Sequence, residues 1–208
     1  MYKKSCDKML TKTQAKIMEI FAANIVRRFS IKGVSKIMGK DYSLVYRSIK
    51  PLIAKNLLVK DEQGYLSLNY KKNIAQIAGI EASRIENFLQ KKQNKVIGLF
   101  IEDSLKEIKE DFFVMLIFGS AVEQKKALGD IDILFIVDDN AKTSKTEKLL
   151  HNIALNFSAK FDINVISTES VYEMLSKRDQ TNVMNETFNK HLIIFGAENY
   201  YRMLKNAR

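Results

Sequence analysis

Two aspartates beside an apolar run are the residues of this chain best suited to chemistry. Asp130 and Asp132 lie two positions apart at the start of the run 131–137. Alternate residues of a β-strand point to the same face, so their side chains are predicted to leave one face about 6.6–7 Å apart. Carboxylates on an apolar strand are costly unless they are paired, hydrogen-bonded or bound to a cation. The spacing therefore favours a divalent metal site.

A glycine and a serine follow the preceding apolar run. Residues 112–118 form a continuous apolar stretch, which predicts a central strand covered on both faces. Gly119 permits a sharp exit from this strand, and Ser120 supplies a hydroxyl. Backbone N–H groups at such a turn, where a helix begins, form a natural phosphate site. Neither a Walker loop nor a dinucleotide-binding glycine pattern occurs in the chain.

These features combine with a later aspartate, Asp162, inside the apolar run 161–166. The order of strand, Gly-Ser, Asp-x-Asp strand and strand aspartate resembles the nucleotidyltransferases of the DNA polymerase β superfamily. The minimal nucleotidyltransferase branch is the most similar, and the resemblance covers roughly residues 95–205. It implies an α/β domain with a mixed sheet and a set of site residues. The implied catalytic metal ligands are Asp130, Asp132 and Asp162, and the implied nucleotide-binding residues are Gly119, Ser120, Lys125 and Lys126.

The resemblance also implies an activity and a cofactor. The expected reaction is the transfer of a nucleoside monophosphate, AMP from ATP, to a hydroxyl of a protein, a small molecule or RNA. Two Mg²⁺ ions, or Mn²⁺ in their place, would bridge the attacking and leaving oxygens. The alternative is a DNA-binding transcriptional regulator whose nucleotidyltransferase-like domain only binds nucleotide or a partner protein. The resemblance permits a helical partner protein, and the apolar connector described below is compatible with a homodimer.

The basic charge of the chain is concentrated in its first third. The net charge is +10, and residues 1–72 hold 16 Lys and Arg against 5 Asp and Glu. Residues 73–208 hold 18 Lys and Arg against 19 Asp and Glu, so this part of the chain is nearly neutral. This asymmetry favours a module that binds a polyanion, joined to a module with another role. The simpler alternative is a lysine-rich protein whose first third is richer by chance.

The first third has the element order of a DNA-binding fold. Apolar periodicity predicts helices over 11–24, 31–38 and 42–56, followed by a hairpin that turns at Gly64. This order resembles a winged helix-turn-helix domain over roughly residues 11–70. The resemblance implies that the third helix enters the DNA major groove and that the hairpin touches the backbone. The implied DNA-binding residues are Ser43, Tyr46, Arg47, Lys50 and Lys60.

The alternative for the third helix is a solvated face in a winged helix that contacts proteins. The domains are predicted as a winged helix at 1–72, a helical connector at 73–94 and a nucleotidyltransferase domain at 95–208, which gives an α+β fold. No apolar run approaches the roughly 20 residues of a membrane span. The start of the chain lacks a secretory signal pattern and Cys6 is the only cysteine, so a cytoplasmic location is expected.

Overall fold

The N-terminal part contains three helices and a hairpin. The computed structural model describes residues 10–123, 129–177 and 182–207. The elements of this part are α1 (Lys12–Ala22), α2 (Ile31–Met38), α3 (Tyr42–Ala54), β1 (Leu58–Lys60) and β2 (Leu66–Leu68). The predicted helices and hairpin are confirmed as elements, with ends that differ by one or two residues at several positions.

Local hydrogen bonds fix where these helices begin and end. Thr11 and Gln14 form a capping box at the start of α1, and Asp41 accepts hydrogen bonds from the backbone at the start of α3. Gly39 ends α2 with a φ of +58°, a conformation that costs glycine little. The helix α3 continues through Pro51 to Ala54, so the missing N–H does not end it.

The hairpin is attached to the segment that precedes α2. Its two strands pair antiparallel, and Gly64 in the turn has a φ of +88°. Phe29 exchanges two backbone hydrogen bonds with Leu66 of β2, at 2.9 and 2.8 Å. The position of the hairpin relative to the helices is therefore set by main-chain bonds as well as by side-chain packing.

Helices and four strands make up the rest of the described chain. No described helix is long and apolar enough to cross a bilayer. The helices are α4 (Ile74–Leu89), α5 (Lys95–Glu107), α6 (Ser120–Glu123), α7 (Asn140–Ala154), α8 (Thr168–Ser176), α9 (Val183–Glu186) and α10 (Ala197–Asn206). The strands are β3 (Phe113–Phe118), β4 (Ile131–Val137), β5 (Phe161–Ser167) and β6 (Leu192–Phe195).

The four strands form one sheet in the order β5-β4-β3-β6. Strand β3 pairs antiparallel with β4 and β6, whereas β4 and β5 are parallel. The α+β class and the mixed sheet are confirmed. Every residue of β3 is buried, as its continuous apolar run predicts.

Each face of the sheet belongs to a different apolar core. One face, with Leu116 and Leu134, shares its core with α1, α3 and the hairpin. The opposite face, with Ile117 and Ile133, shares its core with α5 and α7. The N-terminal helices and the sheet therefore do not have separate cores.

A buried ion pair lies where α4 packs against β6 and α10. The Arg84 guanidinium donates to the Glu81 carboxylate at 2.5 Å and also to the backbone carbonyl of His191. The hydroxyl of Tyr201 donates to the same carboxylate at 2.7 Å. Burial alone would raise the pKa of Glu81, but the positive charge of Arg84, the neighbouring His191 imidazole and the Tyr201 hydroxyl lower it to about 2. Glu81 is therefore a carboxylate at neutral pH.

We expect Arg84→Met to destabilise the protein by about 3–5 kcal/mol, because it leaves the Glu81 carboxylate buried without its cation. Urea unfolding at pH 7 measures the change. Arg202→Met is the matched control, since the Arg202 side chain is 66% exposed and its loss should be nearly neutral. The double variant Glu81→Leu/Arg84→Met should recover part of the loss. Equal unfolding midpoints for Arg84→Met and Arg202→Met would contradict the role of the pair.

Candidate functional site

The three predicted site aspartates lie at one end of the sheet, which we call the acidic edge (Asp130, Asp132 and Asp162). Asp132 and Asp162 are register partners on the adjacent parallel strands β4 and β5. Asp130 immediately precedes β4. Residues 162 and 132 therefore share one face of the sheet, and the strand alternation brings Asp130 towards the same side.

The carboxylates of the acidic edge repel one another. Partial burial raises the pKa of Asp132, and the negative charges of Asp162 and Asp130 raise it further. Glu186, at the end of α9, adds a smaller contribution of the same sign. A cation bound here would relieve this repulsion.

A lysine already neutralises one member of the acidic edge. The Lys160 ammonium lies 2.5 Å from the Asp130 carboxylate, and this hydrogen bond raises the pKa of Lys160. Among the described residues, no three His, Cys, Asp or Glu side chains are arranged to bind a metal ion together. Carboxylates are nevertheless suitable Mg²⁺ ligands by type.

The turn after β3 lies directly against the acidic edge. Gly119 has a φ of +69°, and a side chain at this position would collide with the carboxylate of Asp132. Only glycine fits this position without displacing Asp132. Ser120 is exposed and begins α6. Lys125 and Lys126, the other predicted nucleotide-binding residues, lie outside the described residues.

The predicted DNA-binding residues of α3 are all accessible. One face of the helix is fully buried through Val45, Ile49 and Leu52. On the other face Ser43, Tyr46, Arg47 and Lys50 are exposed. Leu44 is 37% exposed although it is apolar, so the buried stripe of α3 is narrow.

Contacts within this exposed face order some of its side chains. The Lys50 ammonium lies 4.6 Å from the centroid of the Tyr46 ring, and that ring stacks on Tyr42. The side chain of Arg47 donates to the backbone carbonyl of Ser43 at 3.3 Å. The face therefore presents two cations and two aromatic hydroxyls on a rigid helix.

The hairpin adds charge beside its turn. Lys60, at the end of β1, is exposed. Arg28 pairs with Asp61 at 3.1 Å and its guanidinium lies 5.8 Å from the centroid of the Tyr65 ring. These contacts join the segment before α2 to the hairpin turn through side chains.

Two charged residues beside the acidic edge, Lys160 and Glu186, were not found from the sequence. Lys160 lies two positions before Asp162, so strand periodicity could have placed both on one face. Glu186 is 54 positions from Asp132 along the chain, and no local pattern joins them. Only the packing of α9 near the sheet brings the Glu186 carboxylate close enough to raise the pKa of Asp132.

Comparisons with known proteins return little for this chain. Neither a family model nor a curated protein matches the sequence. Two solved structures match in part. The IclR protein of Thermotoga maritima is 14% identical over 51% of this chain and 39% of its own, with a TM-score of 0.26. An IclR homolog of Microbacterium hydrocarbonoxydans was solved in complex with 4-hydroxybenzoate. It is 12% identical over 52% of this chain and 42% of its own, with a TM-score of 0.28.

The predicted membership in the DNA polymerase β superfamily is wrong by these comparisons. The structures that match are IclR proteins rather than nucleotidyltransferases, and no family model supports the assignment. A short pattern of glycine, serine and aspartates occurs in the chain without the wider similarity that a family requires. The chain spans about two fifths of the length of the two IclR proteins. At these TM-scores the likeness does not assign it to their family.

We expect Asp132→Asn to raise the melting temperature at neutral pH by about 1–3 °C, a modest gain because the carboxylate is partly solvated. A carboxyl whose pKa is raised in the folded protein stabilises it at low pH, and this stabilisation is lost as the pH rises through that pKa. The gain should therefore disappear near pH 3, below the ordinary carboxyl pKa of about 4. Thermal unfolding at both pH values measures it.

The control for this experiment is Asp111→Asn, because Asp111 is an exposed aspartate far from the acidic edge in sequence. It should leave the melting temperature unchanged at either pH. A lower melting temperature for Asp132→Asn at neutral pH would show that the carboxylates of the acidic edge do not repel one another in solution.

Proposed function

We propose that this protein is a DNA-binding regulator that contacts duplex DNA through the exposed face of α3. The observation that carries the proposal is the division of α3 into two faces. Three apolar residues anchor one face in the core, and Tyr46, Arg47 and Lys50 are exposed on the other. A helix of 13 residues with this division can enter the major groove while its buried face stays in the protein.

The charge of the N-terminal part supports DNA as the partner. The excess of 16 basic over 5 acidic residues in 1–72 gives this region an attraction for phosphates. Arginine and lysine also bind the acceptor edges of guanine, whereas Tyr46 and Ser43 offer hydroxyls to bases or phosphates. Lys60 on the hairpin would bind the DNA backbone beside the groove. A surface that contacted only proteins would not need this excess of basic over acidic residues.

We expect the double variant Arg47→Ala/Lys50→Ala to bind duplex DNA at least about tenfold more weakly at low salt, because two phosphate or base contacts are lost. Fluorescence anisotropy with a labelled duplex, repeated from 50 to 200 mM salt, measures the affinity. The slope of log K against log salt should decrease by about one for each phosphate contact that is removed.

Lys148→Ala is the matched control, because Lys148 is an exposed lysine on α7 in the nearly neutral part of the chain. It should bind DNA as the parent protein does. The proposal fails if the parent protein does not bind duplex DNA at low salt, if its binding does not depend on salt, or if the control weakens binding as much as the double variant.

As a second candidate function, we propose that the acidic edge binds a divalent cation and, with it, the phosphates of a nucleoside triphosphate. The supporting observation is the pairing of Asp132 with Asp162 on adjacent strands, with Asp130 just before β4. Burial raises the pKa of Asp132, and the negative charges of Asp162 and Asp130 raise it further. Divalent cations bound by carboxylates neutralise phosphate charge, and Ser120 lies in the turn that borders the site. An enzymatic reaction on the triphosphate would be located here.

The cation would compete with Lys160 for the carboxylate of Asp130. We therefore expect Lys160→Ala to bind Mn²⁺ several-fold more tightly than the parent protein, whereas Asp132→Asn and Asp162→Asn bind it more weakly. Electron paramagnetic resonance of free Mn²⁺ measures these affinities, and Lys148→Ala is again the control.

The enzymatic part is tested by Mg²⁺-dependent consumption of labelled ATP, which should be lost in Asp130→Asn and Asp132→Asn. Equal Mn²⁺ affinities in all variants would reject the site.

A further inference from the structure

A cleft of about 600 Å³ lies between the N-terminal helices and the sheet. Its walls come from α1, the C-terminal end of α2, α4, α6 and β6. Both halves of the described chain therefore contribute to it. The volume is within the range of about 300–1,000 Å³ that is usual for sites that bind small molecules.

The walls of this cleft are largely apolar. They include Ile20, Ile37, Met38, Phe88 and Leu192. Ile37 is 55% exposed, although it is a large aliphatic residue at the end of a helix. An exposed aliphatic side chain that faces a concave space loses its contact with water when a ligand with an apolar body binds.

The charged residues of the cleft are mostly basic. Lys16, Arg27, Arg84 and Lys91 line it, against the single acid Glu19. The charge of Arg84 is balanced by Glu81, and these contacts fix the guanidinium in place. Lys16 and Arg27 are exposed, and the guanidinium of Arg27 lies 5.0 Å from the centroid of the Phe29 ring. The cleft therefore combines an apolar wall with a local excess of positive charge.

We infer that this cleft binds a small organic anion with an apolar body. The apolar side chains would cover the body of the ligand, and the lysine and arginine groups would bind its carboxylate, sulfonate or phosphate. The site is distinct from the acidic edge, which has the opposite charge, and from the exposed face of α3. It does not depend on whether the protein binds DNA.

Two fluorescent probes of similar shape test the inference with the full chain. The anion 8-anilinonaphthalene-1-sulfonate should bind, with a fluorescence increase that saturates at one probe per protein. The uncharged N-phenyl-1-naphthylamine should bind at least about threefold more weakly, because it lacks the group that the basic residues bind. Asn87 is exposed on α4 and lines the cleft, so Asn87→Trp should fill it and lower the sulfonate affinity at least about tenfold.

The matched control for the filled cleft is Gln76→Trp, which adds the same ring to an exposed position of α4 outside the cleft. Lys16→Glu should weaken sulfonate binding about threefold while leaving the uncharged probe unaffected. Its control is Lys12→Glu, on the same helix and outside the cleft. Because Lys16 is a surface residue, this pair keeps the test valid even if Asn87→Trp does not fold.

Each outcome of this experiment decides the inference. One-to-one sulfonate binding that is lost in Asn87→Trp and weakened in Lys16→Glu, but kept in both controls, supports it. Unchanged binding in both cleft variants would show that the probe binds elsewhere and would overturn the inference. Equal affinity for the two probes would overturn the assignment to an anion.

Discussion

The buried pair of Glu81 and Arg84 is the interaction on which the arrangement of this molecule depends. Both side chains lie on α4, and through His191 and Tyr201 they connect that helix to β6 and α10. A buried carboxylate and guanidinium that lose their partners are far more costly than an exposed pair, so these contacts favour the observed position of α4. The N-terminal helices pack on α4 and on the same core, and their position relative to the sheet follows from it.

The sheet then determines where polar chemistry is possible. Its two faces are covered by separate apolar cores, so side chains that need water or a cation can lie only at its ends. The acidic edge occupies one such end, beside the turn at Gly119. Its carboxylates repel one another and Lys160 neutralises only one of them. The negative charge that remains is the physical basis for proposing a cation there.

Three surfaces of different character result from this arrangement of helices and sheet. The exposed face of α3 is basic, the acidic edge is negative, and the cleft beside α4 combines apolar walls with basic residues. We propose a different ligand for each of them: duplex DNA, a divalent cation with phosphates, and a small organic anion. The cleft contacts α1 and α2 as well as β6, so a ligand bound there would touch both halves of the chain at once.

Periodicity and capping residues in the sequence determined most of the secondary structure, because these signals act over a few residues. The helices α1, α2 and α3, the hairpin and the buried strand β3 all follow from such local patterns. The alignment of Asp132 with Asp162 depends on the pairing of β4 with β5. The family assignment failed because it extended a pattern of a few residues to a whole domain. The ion pair of Lys160 with Asp130, the charge of Glu186, the shared core and the cleft were decided by tertiary structure alone. They join residues that are distant in sequence, and only packing brings such residues within the range of electrostatic and apolar contact.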